Sequence, residues 1–112
     1  MTDREMLELA ARAAGYVFGE YGGKPARQVT TKIGAAWIYW NPREDDGDAL
    51  RLAVYLEFEI DITSTGVAVR TRCGLKVLVN KTEEPDLCAA ARLAITRAAA
   101  EIGRQMEDTS NG

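Results

Sequence analysis

The sequence has no histidine and only two cysteines. Without histidine there can be no Ser-His-Asp triad, no Cys-His pair, no imidazole general base and no imidazole metal ligand. Two cysteines cannot build a zinc site of four Cys or His ligands. We therefore expect a protein that is not an enzyme and that uses neither a cofactor nor a metal.

Long apolar runs are also missing. No stretch approaches the roughly 18 apolar residues of a membrane-spanning helix, and residues 1–5 are charged where a secretory signal would be apolar. Both features predict a cytoplasmic protein without a membrane contact. In that compartment Cys73 and Cys88 are expected to be reduced core thiols, with a disulfide between them as the alternative.

Positive charge is in short supply as well. The chain has 14 Lys and Arg against 17 Asp and Glu, a net charge of −3. Binding along a phosphate backbone needs a basic surface, so direct nucleic-acid binding is disfavoured. The 112 residues, 46% of them hydrophobic, suit one globular domain. We place it at residues 1–106 and expect a polar, frayed C-terminal tail at 107–112.

A capping box at Thr2 and Glu5 predicts the start of a first helix, and Gly15 predicts its end. Residues 19–25 are rich in glycine and predict a flexible loop. They fail the Walker pattern, because Pro25 stands where a Ser or Thr should bind magnesium. The alternative is a mobile binding loop, in which Lys24 and Arg27 contact an anion.

Two strands are predicted next, at residues 27–33 and 36–40. Alternation along the second strand puts Trp37 and Tyr39 on one face, and Ile38 and Trp40 on the other.

An acidic cluster at Glu44, Asp45, Asp46 and Asp48 precedes the apolar residues 49–56. Acids in this place cap a helix and complement its dipole, which predicts a second helix. The cluster fails as an EF-hand, because loop positions 1 and 12 would be Pro42 and Ala53. Carboxylates paired for metal binding or acid–base chemistry are the alternative.

The period changes to 2 at residue 57, and residues 57–62 and 67–72 alternate between apolar and charged side chains. A loop with an even number of residues places apolar side chains opposite apolar ones and acidic side chains opposite arginines, whereas an odd number does not. The two segments therefore predict a hairpin with an even loop. A loop at Ser64-Thr65 opposes Ile62 to Val67, whereas a loop at Thr65-Gly66 opposes Ile62 to Val69. Both registers remain open. A turn at residues 73–74 then leads into a third strand at 75–79.

Pro85-Asp86 opens the final helix, whose seven alanines between Cys88 and Glu101 allow close packing on a flat surface. Gly103 predicts fraying of its last turns. The element order is α-β-β-α-β-β-β-α. It predicts an α+β fold, an α/β sandwich in which a mainly antiparallel sheet of about five strands carries three helices.

All eight aromatic residues lie between Tyr16 and Phe58. They either fill the core beside the alanine-rich helices or line a partner site, as Tyr and Trp often do. The hairpin adds a charged face, which is either a salt-bridged, solvated surface or a contact surface. Its members are Glu57, Glu59, Asp61, Arg70 and Arg72.

Three segments carry a resemblance to a known family. They are Trp40-Asn41-Pro42 followed by residues 45–54 (DDGDALRLAV), the opening residues 1–11, and residues 91–103. In this order they resemble the phage ABA sandwich domain family of small bacteriophage and prophage proteins. The resemblance implies a phage or prophage gene, a bacterial host cell and an α/β/α sandwich. It brings no catalytic residues with it.

The leading hypothesis is an accessory or counter-defence factor that binds and inhibits a host protein. If it mimics nucleic acid, Glu44, Asp45, Asp46, Glu57, Glu59 and Asp61 should form one patch. The alternative is a module that sequesters a small anionic ligand such as a nucleotide. It needs a concave site that joins Tyr21, Tyr39 or Trp40 to Lys24, Arg27 or Arg43.

An enzyme ranks last and would need two convergent carboxylates in a cleft. Self-association into a homo-oligomer stays open. The binding candidates are Tyr21, Lys24, Arg27, Tyr39, Trp40, Arg43, Asp45, Asp46, Glu57, Glu59, Arg70 and Arg72.

Overall fold

The computed structural model describes residues 1–111, with side chains described as far as Glu107; Gly112 of the expected tail lies outside the described residues. The described chain folds into three helices and six strands. In chain order they are α1 (Asp3–Ala14), β1 (Phe18–Tyr21), β2 (Lys24–Thr31), β3 (Gly34–Tyr39), α2 (Asp46–Tyr55), β4 (Glu59–Thr63), β5 (Gly66–Arg70), β6 (Lys76–Asn80) and α3 (Leu87–Asn111). A short 3-10 turn, Lys81–Glu83, joins β6 to α3. The α+β class is confirmed.

The helix boundaries follow the capping signals. The Thr2 side chain accepts a hydrogen bond from the Glu5 amide, and Gly15 ends α1 in the left-handed conformation. Asp45 caps α2 in the same way by accepting from the Asp48 amide. The prediction that the acidic cluster begins a helix is therefore confirmed.

The strands form two separate three-stranded antiparallel sheets rather than the single sheet of about five strands that we expected. Sheet A has the order β1-β2-β3, and sheet B has the order β4-β5-β6. The sixth strand is β1. Residues 19–25, predicted as a flexible loop, form the β1–β2 hairpin instead, with Tyr21 opposite Lys24. Gly22 and Gly23 make its two-residue turn with φ values of 61° and 80°.

The β2–β3 hairpin turns at Lys32-Ile33, two residues earlier than the predicted strand end, and Ile33 is 99% exposed. In sheet B, Ile62 pairs with Val67 and Glu59 pairs with Arg70. This is the register of the Ser64-Thr65 loop, so the even-loop prediction is confirmed and the other register is wrong. Glu57 precedes β4 rather than lying in it, because its φ of 56° interrupts the extended backbone.

The core lies between α3, α1 and the inner face of sheet B. α3 packs on β5 and β6, where Val67, Val69 and Val79 are buried. α1 lies along α3, and alanines on both helices, such as Ala10 and Ala98, are fully buried. Small side chains let the two helix axes approach closely.

Gly103 is buried at this helix crossing, and α3 continues past it to Asn111. The fraying expected at Gly103 is therefore wrong, because its missing side chain is what the crossing needs. Residues 107–111, expected to be a frayed tail, continue α3.

Cys73 and Cys88 are free, as expected, but both are exposed. The prediction of core thiols is wrong, because Cys73 lies in the turn before β6 and Cys88 lies on the outer side of α3. In the described chain, no helix is long and apolar enough to cross a membrane.

Candidate binding face on sheet A

Four side chains, three of them binding candidates from the sequence, share one face of sheet A. Cross-strand partners point to the same side of a sheet, and so do alternate residues along a strand. Tyr21 pairs with Lys24, and Tyr39 pairs with Ala26, two residues further along β2. Trp37 stands two residues before Tyr39. We call Tyr21, Lys24, Trp37 and Tyr39 the aromatic face.

The aromatic face is ordered by contacts between its own members. The rings of Tyr21 and Tyr39 lie 5.6 Å apart, and Lys24 Nζ lies 5.6 Å from the Tyr39 ring centroid. Trp37 lies over Gly19 so closely that a Cβ on Gly19 would come within 2.8 Å of the indole. Tyr21 and Tyr39 nevertheless remain 53% and 56% exposed. The face is thus both structured and open to solvent.

The opposite face of sheet A turns toward the core. Trp40 follows β3 and is only 3% exposed. It meets Tyr16 edge-on at 5.6 Å and Phe18 at 6.1 Å. The aromatic residues were expected either to fill the core or to lie on the surface, and they divide between the two. Trp40 packs with Tyr16 and Phe18 in the core, whereas Tyr21 and Tyr39 lie on the surface.

Arg27 belongs to the core-facing side, where its guanidinium lies 4.1 Å from the Tyr16 ring centroid. It is separated by the sheet from Lys24, so the expected pairing of these two cations around one anion is wrong. The cause is strand alternation, because Arg27 stands three positions after Lys24 along β2, and side chains an odd number of positions apart point to opposite faces.

A cleft of about 480 Å³ adjoins the aromatic face at the start of α2. Lys24 and Tyr39 form one wall, and the N-terminal turns of α2 form the other. The lining residues are Lys24, Pro25, Tyr39, Trp40, Asn41, Glu44, Asp45, Asp48 and Arg51. The structure thus joins the candidates Lys24, Tyr39, Trp40 and Asp45 in one concave site.

The charges of this cleft are largely engaged with one another. Asp48 accepts a hydrogen bond from the Asn41 amide at 3.0 Å and another from Arg51 at 2.8 Å. The bond to Asp48 raises the pKa of Arg51 above its ordinary value. Asp45 accepts from the Asp48 amide at 2.8 Å.

Three carboxylates line the cleft, the arrangement that would favour an enzyme. Two of them, however, are committed to structure, since Asp45 caps α2 and Asp48 holds Arg51 and the Asn41 backbone. Among the described side chains, up to Glu107, no group of three or more Cys, Asp and Glu residues is placed to hold a metal ion. With Asp45 and Asp48 engaged in this way, the cleft does not present a pair of uncommitted carboxylates.

Arg43 lies outside this site. Its guanidinium binds Asp3 at 2.7 Å and Glu84 at 3.1 Å, and its carbonyl accepts from Arg92. It connects the first turn of α1 to the segment before α3. Both terminal nitrogens of its guanidinium therefore already meet carboxylates, and its contact with an anion stays a prediction that this geometry does not support.

The charged face of sheet B is salt-bridged and solvated. Glu59 lies 3.7 Å from Arg70, and Glu57 lies 2.8 Å from Arg72. All four side chains are more than half exposed, so each pair adds little stability.

The six acidic candidates do not form a single patch. Glu44, Asp45 and Asp46 lie at the start of α2, where Asp46 binds Arg92 and Asp45 lies 3.9 Å from Arg51. Glu57, Glu59 and Asp61 lie elsewhere, in β4 or just before it. A scattered, neutralised arrangement gives no row of charge like that of a nucleic acid, so it speaks against mimicry.

Sequence reasoning left Trp37 and Arg51 out of the candidate set. Alternation had paired Trp37 with Tyr39 on one face, which the structure confirms, and that pattern could have added it. Arg51 carried no comparable signal, because its place depends on how α2 sits against β2 and β3.

Comparison of the chain with protein families, curated proteins and solved structures gives no match.

Proposed function

We propose that this chain is a binding protein whose aromatic face docks on a partner protein. The observation that carries the proposal is the pair Tyr21 and Tyr39. Each is more than half exposed, yet their rings pack against each other, and Lys24 lies against the ring of Tyr39, across the three strands of sheet A. Tyrosine and tryptophan held in this way provide large contact area at little entropic cost and are enriched in binding hot spots.

The charges beside the face favour a protein over a free anion. The cleft offers two cations, Lys24 and Arg51, against the carboxylates of Glu44, Asp45 and Asp48. Arg51 is already bound to Asp48. Positive and negative side chains in nearly equal number around an aromatic centre suit contact with the surface of another protein.

The resemblance seen in the sequence supports a proposal for the nature of the partner. A phage or prophage protein works in the cytoplasm of its bacterial host, and a small binding protein without catalytic machinery acts by occupying a site. We therefore propose a host protein as the partner, and inhibition of that protein as the outcome.

Lysate capture with matched variants tests the proposal. Tagged wild-type protein should retain one stoichiometric host protein from a bacterial lysate, and Tyr39→Ala and Tyr21→Ala should each reduce the amount retained by tenfold or more. Tyr55→Ala is the control, since Tyr55 is 62% exposed but lies on α2, near Tyr16 on the other side of the sheet. Retention of no stoichiometric partner, or equal retention by Tyr39→Ala and wild type, would contradict the proposal.

The cleft itself supports a second candidate, a small anionic ligand. Its volume of about 480 Å³ lies in the range of small-molecule sites. Tyr39 could stack on a base while Lys24 meets a phosphate. Thermal-shift screening against cyclic and linear nucleotides tests it: stabilisation of wild type but not of Lys24→Ala supports the ligand, and no shift with any nucleotide removes it.

A further inference from the structure

The two sheets have four edge strands, and one of them lacks the usual protection. Edge strands are commonly shielded by charged side chains or proline, which stop them pairing with other chains. Here β1 carries Glu20, β4 carries Glu59 and Asp61, and β6 carries Lys76. β3, with the sequence GAAWIY, has neither a charge nor a proline. Among the described edge strands it is thus the one suited to pairing.

The hydrogen-bond parity shows which backbone groups β3 leaves free. The Trp40 amide donates to the Pro25 carbonyl at 3.1 Å. In an antiparallel pair, residues alternate between facing the partner strand and facing away. Trp40, Ile38 and Ala36 therefore face β2. The amides and carbonyls of Ala35, Trp37 and Tyr39 point outward along the open edge.

The side chains of β3 complement those of a second β3 strand. If two copies pair antiparallel about Trp37, Ala35 stands opposite the partner's Tyr39, and Ala36 stands opposite the partner's Ile38. Tyr39 and Ile38 thus each meet an alanine, on opposite faces of the sheet, and Trp37 meets the partner's Trp37 at the two-fold axis. The backbone groups match as well. The amides and carbonyls of Ala35 and Tyr39 both point to the open edge, so in this register Ala35 can form hydrogen bonds with the partner's Tyr39.

We propose that the chain forms a two-fold symmetric dimer by antiparallel pairing of β3 with β3 across Trp37. The two copies of sheet A then become one continuous six-stranded sheet. The side chains of Trp37 and Tyr39 lie on the same face of this sheet in both copies, so the two aromatic faces join into a single surface. This inference is independent of the proposed host partner, since it rests on the strand edge.

Light scattering after size exclusion tests the dimer. The wild-type protein should elute at twice the monomer mass of 12.3 kDa. Ala35→Pro should elute as a monomer, because it removes an outward amide but none that bonds β2. The control is Leu78→Pro on the β6 edge. The backbone groups of Leu78 also point away from the neighbouring strand. The Thr71 amide donates to the Leu75 carbonyl, so Leu75, Val77 and Val79 face β5, and Leu78 between them faces the open edge. This variant should stay dimeric.

A charge swap at Trp37 tests the register, and it also decides the question if Ala35→Pro fails to fold. Trp37→Lys and Trp37→Glu each place like charges opposite one another at the two-fold axis, so each variant alone should be monomeric. Mixed in equal amounts they should form a heterodimer.

A monomeric wild type would overturn the dimer, and so would a dimer that survives in Ala35→Pro. A mixture of the Trp37 variants that stays monomeric would overturn this register. If the wild type is monomeric and Ala35→Pro loses a captured host protein, the edge instead receives a strand of that protein.

Discussion

The backbone carbonyl of Leu9 on α1 lies where a Cβ on Gly103 of α3 would have to stand. The two helices are therefore in backbone contact at this point. Leu9 itself is half-buried, and its carbonyl is part of the α1 hydrogen-bond ladder, so it cannot yield as a flexible side chain would. The crossing of α1 and α3 depends on the absence of one methyl group.

We predict that Gly103→Ala lowers the free energy of unfolding by about 3 kcal/mol. In an unconstrained helix the same change would stabilise by about 1 kcal/mol, so the sign itself is diagnostic. Gly47→Ala in α2 is the control. Its Cβ would meet only the ends of the Arg51 and Asp45 side chains, each at 3.2 Å, which need to shift by a small amount, so we expect a much smaller change in stability there than at Gly103. Urea unfolding measures both, and a neutral Gly103→Ala would contradict the close crossing.

Gly103 also shows where sequence reasoning stops. Local signals located the ends of α1 and α2 because a cap depends on neighbours within one turn, as for Thr2 and Asp45. The alternation of charged and apolar residues likewise reduced the possible pairings of β4 with β5 to two registers, one of them with the Ser64-Thr65 loop. A glycine in a helix reads locally as a weakness, and only the position of α1 reveals that Gly103 is a packing residue.

The same limit explains the errors in the candidate site. Alternation placed Trp37 beside Tyr39, but β1 was missed, because Gly19 in a strand reads as a break until Trp37 is known to lie over it. Without β1 the division into two sheets could not be seen. Arg43 and Arg27 were grouped with Lys24 by charge alone, and charge does not say which side of a sheet a residue faces.

We predict that Asp45→Ala destabilises the protein by about 1 kcal/mol, the cost of an N-cap. Asp45→Asn should keep nearly full stability, because its side-chain oxygen can still accept from the Asp48 amide. Glu44→Ala, next to it and exposed, should change the free energy of unfolding by less than about 0.5 kcal/mol. Denaturant titrations of the three variants give the comparison. An Asp45→Asn as unstable as Asp45→Ala would show that charge rather than capping matters.

Trp40 should be the most costly aromatic residue to remove. It is 3% exposed and contacts both Tyr16 and Phe18, so Trp40→Ala should lower stability by about 3 to 5 kcal/mol. Tyr21→Ala, on the exposed face, should cost less than about 1 kcal/mol. Thermal unfolding followed by circular dichroism compares them. Equal losses would contradict the division of the aromatic residues into a buried and a surface group.

The exposed thiol of Cys73 should react at lower pH than an ordinary cysteine. A hydrogen bond with the Thr71 hydroxyl, 3.1 Å from Sγ, and the Leu75 amide lower the pKa of Cys73, because donors favour the thiolate. The thiolate is the nucleophile, so the alkylation rate at neutral pH should exceed that of an unperturbed thiol. The measurement is the pH profile of iodoacetamide labelling in a Cys88→Ser background, where Cys73 is the single thiol.

Thr71→Val in that background should move the labelling profile to higher pH, since the valine keeps the shape but removes the hydroxyl that faces Sγ. Thr71→Ser is the matched control, because it restores the hydroxyl and should return the profile toward that of the parent. The Thr71 hydroxyl also accepts from the Leu75 amide, so circular dichroism must show that the turn before β6 survives in Thr71→Val. A profile that does not move in folded Thr71→Val would assign the reactivity of Cys73 to its exposure alone.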